Sequence, residues 1–421
     1  MPNFNNELLE FLRTGSTSYT TIKYIKELLI KNGYQELQEA NIWKLDNSKY
    51  FVIRNDASLI AFNLQEDLKE DFKIICTHCD TPSLAIKPNP TFFENGYLKL
   101  NVVPYGGILN YGFMDRPLSI AGRIITQNNN TFTKTIIDLK KPLAVIPSIA
   151  IHQNAKANTN LDLNTEIDLM PIISLNKNNT LESIIKKELK LKDSITDYDL
   201  YLYPTINPQI INNTFILSPR IDNLTCTYAA VKSFINNFSN SINVLTVFNS
   251  EEIGSNTYEG ADSNFLIDTL KRICATKNLD ISRSLANSFI ISADNTHARH
   301  PSHDELSDHT NTPKLNDGIL IVKEINGTTT GITGAIMKKI CENNKIPFKY
   351  YTSRNDFATG STQAGVSLKH LSINSVDIAL PMLAMHSSEE LIGLKDPYRL
   401  YLTFKEFYKI KFTLKNNKIF F

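Results

Sequence analysis

The sequence carries almost no net charge: 44 lysines and arginines stand against 43 aspartates and glutamates, leaving +1. Nucleic acid and anionic membranes attract proteins through a basic excess, so this balance argues against both as partners. Long apolar runs are also missing. The best candidate, residues 142–151, is short and broken by Pro147, far below the roughly 20 residues of a membrane span. Residues 1–12 read as Asn-rich and then amphipathic, without the basic start and apolar stretch of a secretory signal. Cysteine is scarce: Cys76, Cys79, Cys226, Cys274 and Cys341 are an odd, scattered set of five. That excludes a disulfide framework and points to a reducing compartment, so a cytoplasmic protein is expected. Cys76 and Cys79 form a C-x-x-C, but at the end of an apolar run, 72–76, that reads as a strand. A redox pair would open a helix, and a zinc ribbon would need a second pair, so these two thiols are expected to be structural.

What the chain does have is length and core: 421 residues, of which 42% are hydrophobic, enough for two or three domains. Caps between Ser16 and Thr21 precede Ile22, Ile25, Leu28 and Leu29 at helical spacing, and Gly33 closes that helix. Short β-type runs follow at 50–53, 59–62 and 73–76. From about residue 84 to 213 helical periodicity fades. Strand-like pieces (97–103, 123–125, 133–137) alternate with Gly, Asn and Pro, with one helix expected over 184–191. Helix-strand alternation then returns, with helices over 223–236, 331–343 and 396–411 and strands over 243–248, 289–292 and 346–351. The expected fold is α/β: a mostly parallel sheet with helices on both faces, formed by residues 1–84 and 214–421 and interrupted by a β-rich insertion, 85–213.

Ligands of open α/β sheets bind beyond the carboxyl ends of the strands. Five places put metal-binding side chains there, nearly all at the ends of separate predicted strands. His78 and Asp80 follow the 73–76 strand, and in extended chain they point the same way. Asp222, in Ser218-Pro219-Arg220-Ile221-Asp222-Asn223, either bridges two cations or caps the helix that follows. Glu251 and Glu252 follow the 243–248 strand. Pointing different ways, one can bind metal while its neighbour handles protons. Asp294 and His297 follow the 289–292 strand, and His386 sits in Met385-His386-Ser387. Two histidines and several carboxylates suit two divalent metals sharing a carboxylate: zinc first, then cobalt or manganese.

These motifs give the chain its resemblance, nearly end to end, to the aspartyl aminopeptidase family of dinuclear zinc metallopeptidases. It runs through His78-Cys79-Asp80-Thr81-Pro82, Tyr105-Gly106-Gly107, Asp115-Arg116-Pro117-Leu118-Ser119 and Ile146-Pro147-Ser148-Ile149-Ala150-Ile151-His152. The motifs around Asp222, Glu251-Glu252 and Asp294, with His297 and His300-Pro301, match as well. Ser353-Arg354-Asn355-Asp356, Gly360-Ser361-Thr362 and the His386 motif complete it. The resemblance implies that Asp222 bridges two metals, His78 and Asp294 complete one site, and Glu252 and His386 the other. Glu251 would be the general base and Asp80 would orient the histidine or tune the water. One metal would hold the free α-amine of a peptide substrate. The insertion would be a dimerisation domain, with dimers building hollow tetrahedral dodecamers, and His152 would reach a neighbouring subunit's site.

Relatives that prefer acidic first residues carry a lysine in the strand after the Asp294 motif. Here an ungapped count lands on Val322, with Lys323 next, so Lys323 is a substrate-binding candidate only if the local register shifts by one residue. Acidic and apolar preferences both stay open. Two other functions fit the same metals or the same fold: a carboxypeptidase or deacylase acting on blocked substrates, and an inactive scaffold.

Overall fold

A computed structural model describes residues 1–67, 69–357, 367, 369–411, 413–415 and 418–420. The Gly360-Ser361-Thr362 run lies outside the described residues.

The strand-forming runs assemble into a large sheet of twelve strands. Its centre is four parallel strands, in the order Ile242–Phe248, Phe72–His78, Phe289–His297 and Asn374–Leu383. Mostly antiparallel pairs flank them: Ser58–Asn63 and Lys49–Arg54 on one side, Glu390–Gly393, Phe215–Ser218 and Gln209–Ile211 on the other. Every residue of Phe72–His78 and of Ile242–Phe248 is buried, as parallel strands covered on both faces require. Alternate residues serve opposite faces. Ile75, Leu245 and Ile291 pack with the helices Ser18–Lys31, Ile221–Phe234, Gly331–Asn343 and Asp396–Lys409. Ile74, Val244 and Ile290 pack with Trp43 and the helix Phe265–Lys277. The α/β class with helices on both faces of a parallel core is the observed fold.

Local chemistry accounts for the ends of these elements. The helix Ser18–Lys31 starts in a capping box between Thr17 and Thr20, and the chain leaves it through Gly33 at φ 81°. Some bounds differ from the sequence reading. The strand read over 289–292 continues to His297 because it pairs in register with Asn374–Leu383 along its whole length. Asp294 therefore stands inside a strand. The helix read over 223–236 begins at Ile221, but Asp222 and Asn223 leave helical geometry.

The chain departs from the large sheet at Ser83 and forms a second, antiparallel sheet of six strands. In spatial order these are Thr131–Asp138, Leu118–Asn128, Ser194–Pro204, Ser83–Glu94, Tyr97–Tyr105 and Ile172–Ser174. It has its own core, which includes Leu84, Leu100, Ile120 and Leu202, with Leu181 and Ile185 of the helix Leu181–Leu189 packed in. The chain rejoins the large sheet at Gln209–Ile211.

Polar side chains hold the two sheets together. Arg123 of the second sheet donates to Asp199 of its own sheet and to Asp56 and the Asn55 carbonyl of the large-sheet hairpin turn. Its guanidinium lies 4.9 Å from the Tyr19 ring centre. Asp138 accepts from Ser16 and Tyr203, and Arg220 reaches the Leu12 carbonyl while its guanidinium lies over Tyr203. Truncating Arg123 to alanine leaves Asp56 and Asp199 with one cationic donor fewer, at a cost of about 2 kcal/mol. Urea denaturation should show that loss. Arg123→Lys should recover only part of it, because an ammonium cannot span the same forked contacts.

Candidate metal centre

The four parallel strands deliver their carboxyl ends to one place. His78 is the last residue of its strand, Asp294 lies in the next, and Glu251 and Glu252 follow Phe248 in a short turn. His386 comes just after Leu383. Asp222 enters from the start of the helix Ile221–Phe234. Three non-glycine residues beside or among these, Arg220, Ser250 and His386, hold left-handed backbone at φ 63°, 67° and 65°. Such conformations persist only where the surroundings over-determine them, and they gather at functional sites.

Asp222 is the hub. Its Oδ1 lies 3.5 Å from His78 Nε2 and its Oδ2 lies 3.6 Å from His386 Nε2. His78 Nε2 is 3.3 Å from Asp294 Oδ1, and His386 Nε2 is 3.3 Å from Glu252 Oε2. One carboxylate thus presents an oxygen to each of two histidine-carboxylate pairs. His78, Asp222 and Glu252 also offer ligand atoms within 4.8 Å of one another.

Each histidine is oriented by its other ring nitrogen. His78 Nδ1 lies 3.1 Å from the Asp80 carbonyl, and His386 Nδ1 lies 3.0 Å from the Gly107 carbonyl. Donation from Nδ1–H leaves both Nε2 atoms free to face the centre, the usual arrangement behind a metal-ligating imidazole. Asp80 also accepts the backbone N–H groups of Glu251 and Glu252, one on each oxygen, and the Tyr105 hydroxyl. It therefore aligns the turn that carries both glutamates. Gly106, at φ 72°, lies so close that an added Cβ would stand 3.0 Å from the Glu252 Cβ. Tyr105, Gly106 and Gly107 extend from the second sheet, so the centre is closed from both sheets.

The electrostatics record an excess of negative charge. Burial, with the charges of Asp294, Asp80 and Asp222 adding and His78 opposing, pushes Glu251 up to about 8. Burial and Asp222 raise Asp294 to about 6 and drive Glu252 well above its ordinary value. Burial alone would lower His78, but Asp294, Asp222 and Asp80 hold its pKa well above the usual histidine value. Asp222, despite burial, is held below the usual carboxylate range by His386 and His78.

A divalent metal fits this donor set. The buried Asp222 Oδ1 and Glu252 Oε1 have no hydrogen-bond partner among the described residues. The donor spacings of 3.3 to 3.6 Å are close to the edge of a tetrahedron around zinc, about 3.3 Å for ordinary zinc-nitrogen bonds. Mixed imidazole and carboxylate donors suit zinc.

The centre opens into a cavity of about 790 Å³. Asp222, Glu251, Glu252, Asp294 and His386 line it with His297, Arg354, Tyr351, Phe357, Met382 and Val322. Lys323 does not line it. The strand Ile319–Val322 ends with Val322 turned inward, and Lys323 borders a separate recess with Thr330, Gly331 and Tyr350. Alternation along an extended chain sends neighbours to opposite sides, so only one of the two can face the centre. His152 is exposed, in a turn between Ile149 and Asn154, and is not among the cavity-lining residues of its own chain. Cys76 and Cys79 are buried free thiols. Sequence reasoning gave no role to Tyr105 or to the Gly107 carbonyl, although their motif was in view, and it passed over Glu390, whose carboxylate accepts the N–H groups of Asp222 and His386.

Stripping the metal should expose the charge imbalance as a pH effect. In the unfolded chain Glu251 ionises near 4.5, whereas in the folded metal-free chain it keeps its proton until about 8. The folded state then binds more protons across that window, so stability falls as pH rises from about 4.5 to 8. His78, also raised, acts in the same direction. Thermal melts of chelated protein should show a midpoint that drops with pH over this range, and excess zinc at pH 8 should reverse the drop. A flat or rising midpoint would contradict the charge picture.

The comparisons agree with this chemistry. Residues 11–408 match the family model described as aminopeptidase I zinc metalloprotease (M18). A probable M18 family aminopeptidase 2 of Clostridium novyi is 40% identical over 97% of this chain and 99% of its own length. Its Pseudomonas paraeruginosa counterpart is 32% identical over 96% and 97%. Among solved structures, that of the Ape4 and Nbr1 complex superposes with a TM-score of 0.91 at 30% identity, covering 96% of this chain and 85% of that one. Chaetomium thermophilum mApe1 gives a TM-score of 0.86 at 27% identity over 97% of both chains. Family match, relatives and fold concur: this chain belongs to the M18 family of zinc aminopeptidases, and is a metal-dependent aminopeptidase.

Proposed function

We propose that the chain releases single N-terminal residues from peptides at a centre of two divalent cations. Asp222 would serve both, His78 and Asp294 would hold one, and Glu252 and His386 would hold the other. The observation that carries this reading is the divided Asp222 carboxylate, with one oxygen toward each histidine. When bound, the cations make an attacking water more acidic and polarise the scissile carbonyl.

The chain's own groups do the rest. Glu251 takes the proton from the attacking water and passes it to the departing amine. Its side chain lines the cavity beside the candidate ligands, within reach of a water held there. Asp80 keeps Glu251 and Glu252 in place through their backbone N–H groups. The related hydrolases that act on blocked substrates and an inactive scaffold are less well supported, given the aminopeptidase family and the presence of every candidate ligand.

For the first residue of the peptide we propose an apolar preference. Val322, Met382, Tyr351 and Phe357 line the cavity, and Lys323 does not. We propose further that residues 85–213 form a dimerisation domain and that the enzyme works as a homo-oligomer. His152 would then serve a neighbouring subunit. Its loop supports this reading by exposing Ile149 and Ile151 beside the histidine. Among the described residues no helix is long and apolar enough to cross a membrane.

Glu251→Gln should lower kcat by about a hundred- to ten-thousand-fold while zinc content and the melting profile stay near wild type. Substantial remaining activity would remove Glu251 from the proton-carrying role. A panel of chromogenic amides differing only in the first residue tests the preference. Leucine and methionine should be cleaved far faster than aspartate, and Val322→Lys should narrow that gap. Rapid cleavage of the aspartyl amide by the wild-type chain would sink the apolar reading.

A further inference from the structure

We infer that Glu390 is a positioning residue for the metal centre: a single buried carboxylate that fixes the backbone of two ligands, Asp222 and His386, at once. The inference rests on the ligand set proposed above.

Glu390 opens the strand Glu390–Gly393 and is 1% exposed. Its Oε2 accepts the Asp222 N–H at 3.1 Å, and its Oε1 accepts the His386 N–H at 2.6 Å. It is placed for this by register, because the strand pairs Ser218 with Glu390 just before the chain turns toward Asp222. Neither backbone amide has the setting of a regular element. Asp222, at φ −80° and ψ 113°, has left the helix that nominally contains it, and His386 sits at φ 65°. Each conformation leaves an N–H without a ladder or helix partner, and Glu390 supplies one oxygen to each.

Of the two anchored residues, His386 belongs to one histidine-carboxylate pair, and Asp222 presents an oxygen to both pairs. Tying the Asp222 backbone to that of His386 sets the distance between the shared carboxylate and one imidazole. Glu390 itself is not among the residues that line the cavity, so it acts through its two neighbours and touches neither substrate nor cation. A glutamate is well matched to the task. It offers two acceptors on one rigid plane, whereas a glutamine would turn a donor toward one of the two N–H groups. An aspartate keeps both acceptors on a shorter arm.

The test is cobalt(II) binding to chelated protein, followed by visible absorption and by competition with a chelator, in wild type, Glu390→Gln and Glu390→Asp. Melting of the metal-free proteins is measured alongside. The expected result for Glu390→Gln is a cobalt affinity lower by about 10- to 100-fold and altered ligand-field bands, accompanied by a lower metal-free melting midpoint because one buried N–H loses its acceptor. Glu390→Asp should fall between the two and decides the matter if the glutamine variant does not fold. Wild-type affinity and bands in the folded variants would overturn the inference, as would a lower metal-free midpoint with unchanged cobalt binding, the mark of a merely structural residue. If the wild-type chain takes up no cobalt, or Asp222→Asn binds it undiminished, the ligand set itself falls and the role of Glu390 falls with it.

Discussion

Everything at the working end of this molecule follows from one electrostatic constraint: carboxylates gathered out of water must be compensated. Asp222, Glu252 and Asp80 are buried or nearly so, and Glu251 and Asp294 are close by. Two imidazoles cannot balance them, and the upward push on Glu251, Glu252 and Asp294 is the sign of what is left over. Burying a charge is tolerated only when it is paired, hydrogen-bonded or bound to metal. The backbone donors from Glu251 and Glu252 to Asp80, and the two carbonyls that receive the histidine Nδ1 protons, handle part of the problem. The remainder is a standing demand for cations, and it defines the centre more sharply than any single ligand does.

The second sheet is part of the answer to that constraint. It supplies the Tyr105 hydroxyl to Asp80 and the Gly107 carbonyl to His386, and it passes Gly106, in left-handed backbone, tightly against Glu252. Its seating on the large sheet, through Arg123, Asp138 and Tyr203, therefore fixes the orientation of groups at the centre. Long insertions are commonly tolerated because closing a longer loop costs little more entropy than closing a short one. This one reaches into the site.

Much of this was legible in the sequence, for physical reasons. Buried parallel strands are short, continuous apolar runs, so 73–76, 243–248 and 289–292 were plain, and polar residues right after such runs had to lie at the sheet's carboxyl edge. The strand Asn374–Leu383 was not read, because Asn374, Asp377 and Pro381 break its apolar pattern. Asp222 was ambiguous because a carboxylate ahead of a helix is ordinarily a cap, and only its contacts with two histidines distinguish it. Lys323 and Val322 could not be separated by counting, since a one-residue slip reverses every side chain. Glu390 was invisible. In sequence it is half of a Glu-Glu pair that resembles any solvated surface, and its burial is decided by the strand partner at Ser218.

The order of the candidate ligands along the chain has a consequence for how the enzyme comes into being. His78, Asp222, Glu252, Asp294 and His386 span most of the polypeptide, and the Gly107 carbonyl that orients His386 comes from its first third. No early segment emerging from the ribosome holds a working set. The parallel strands that gather these residues are joined through contacts distant in sequence, the slowest kind to form. A chain that ends before His386 therefore lacks one of the candidate ligands, however much of the rest has folded.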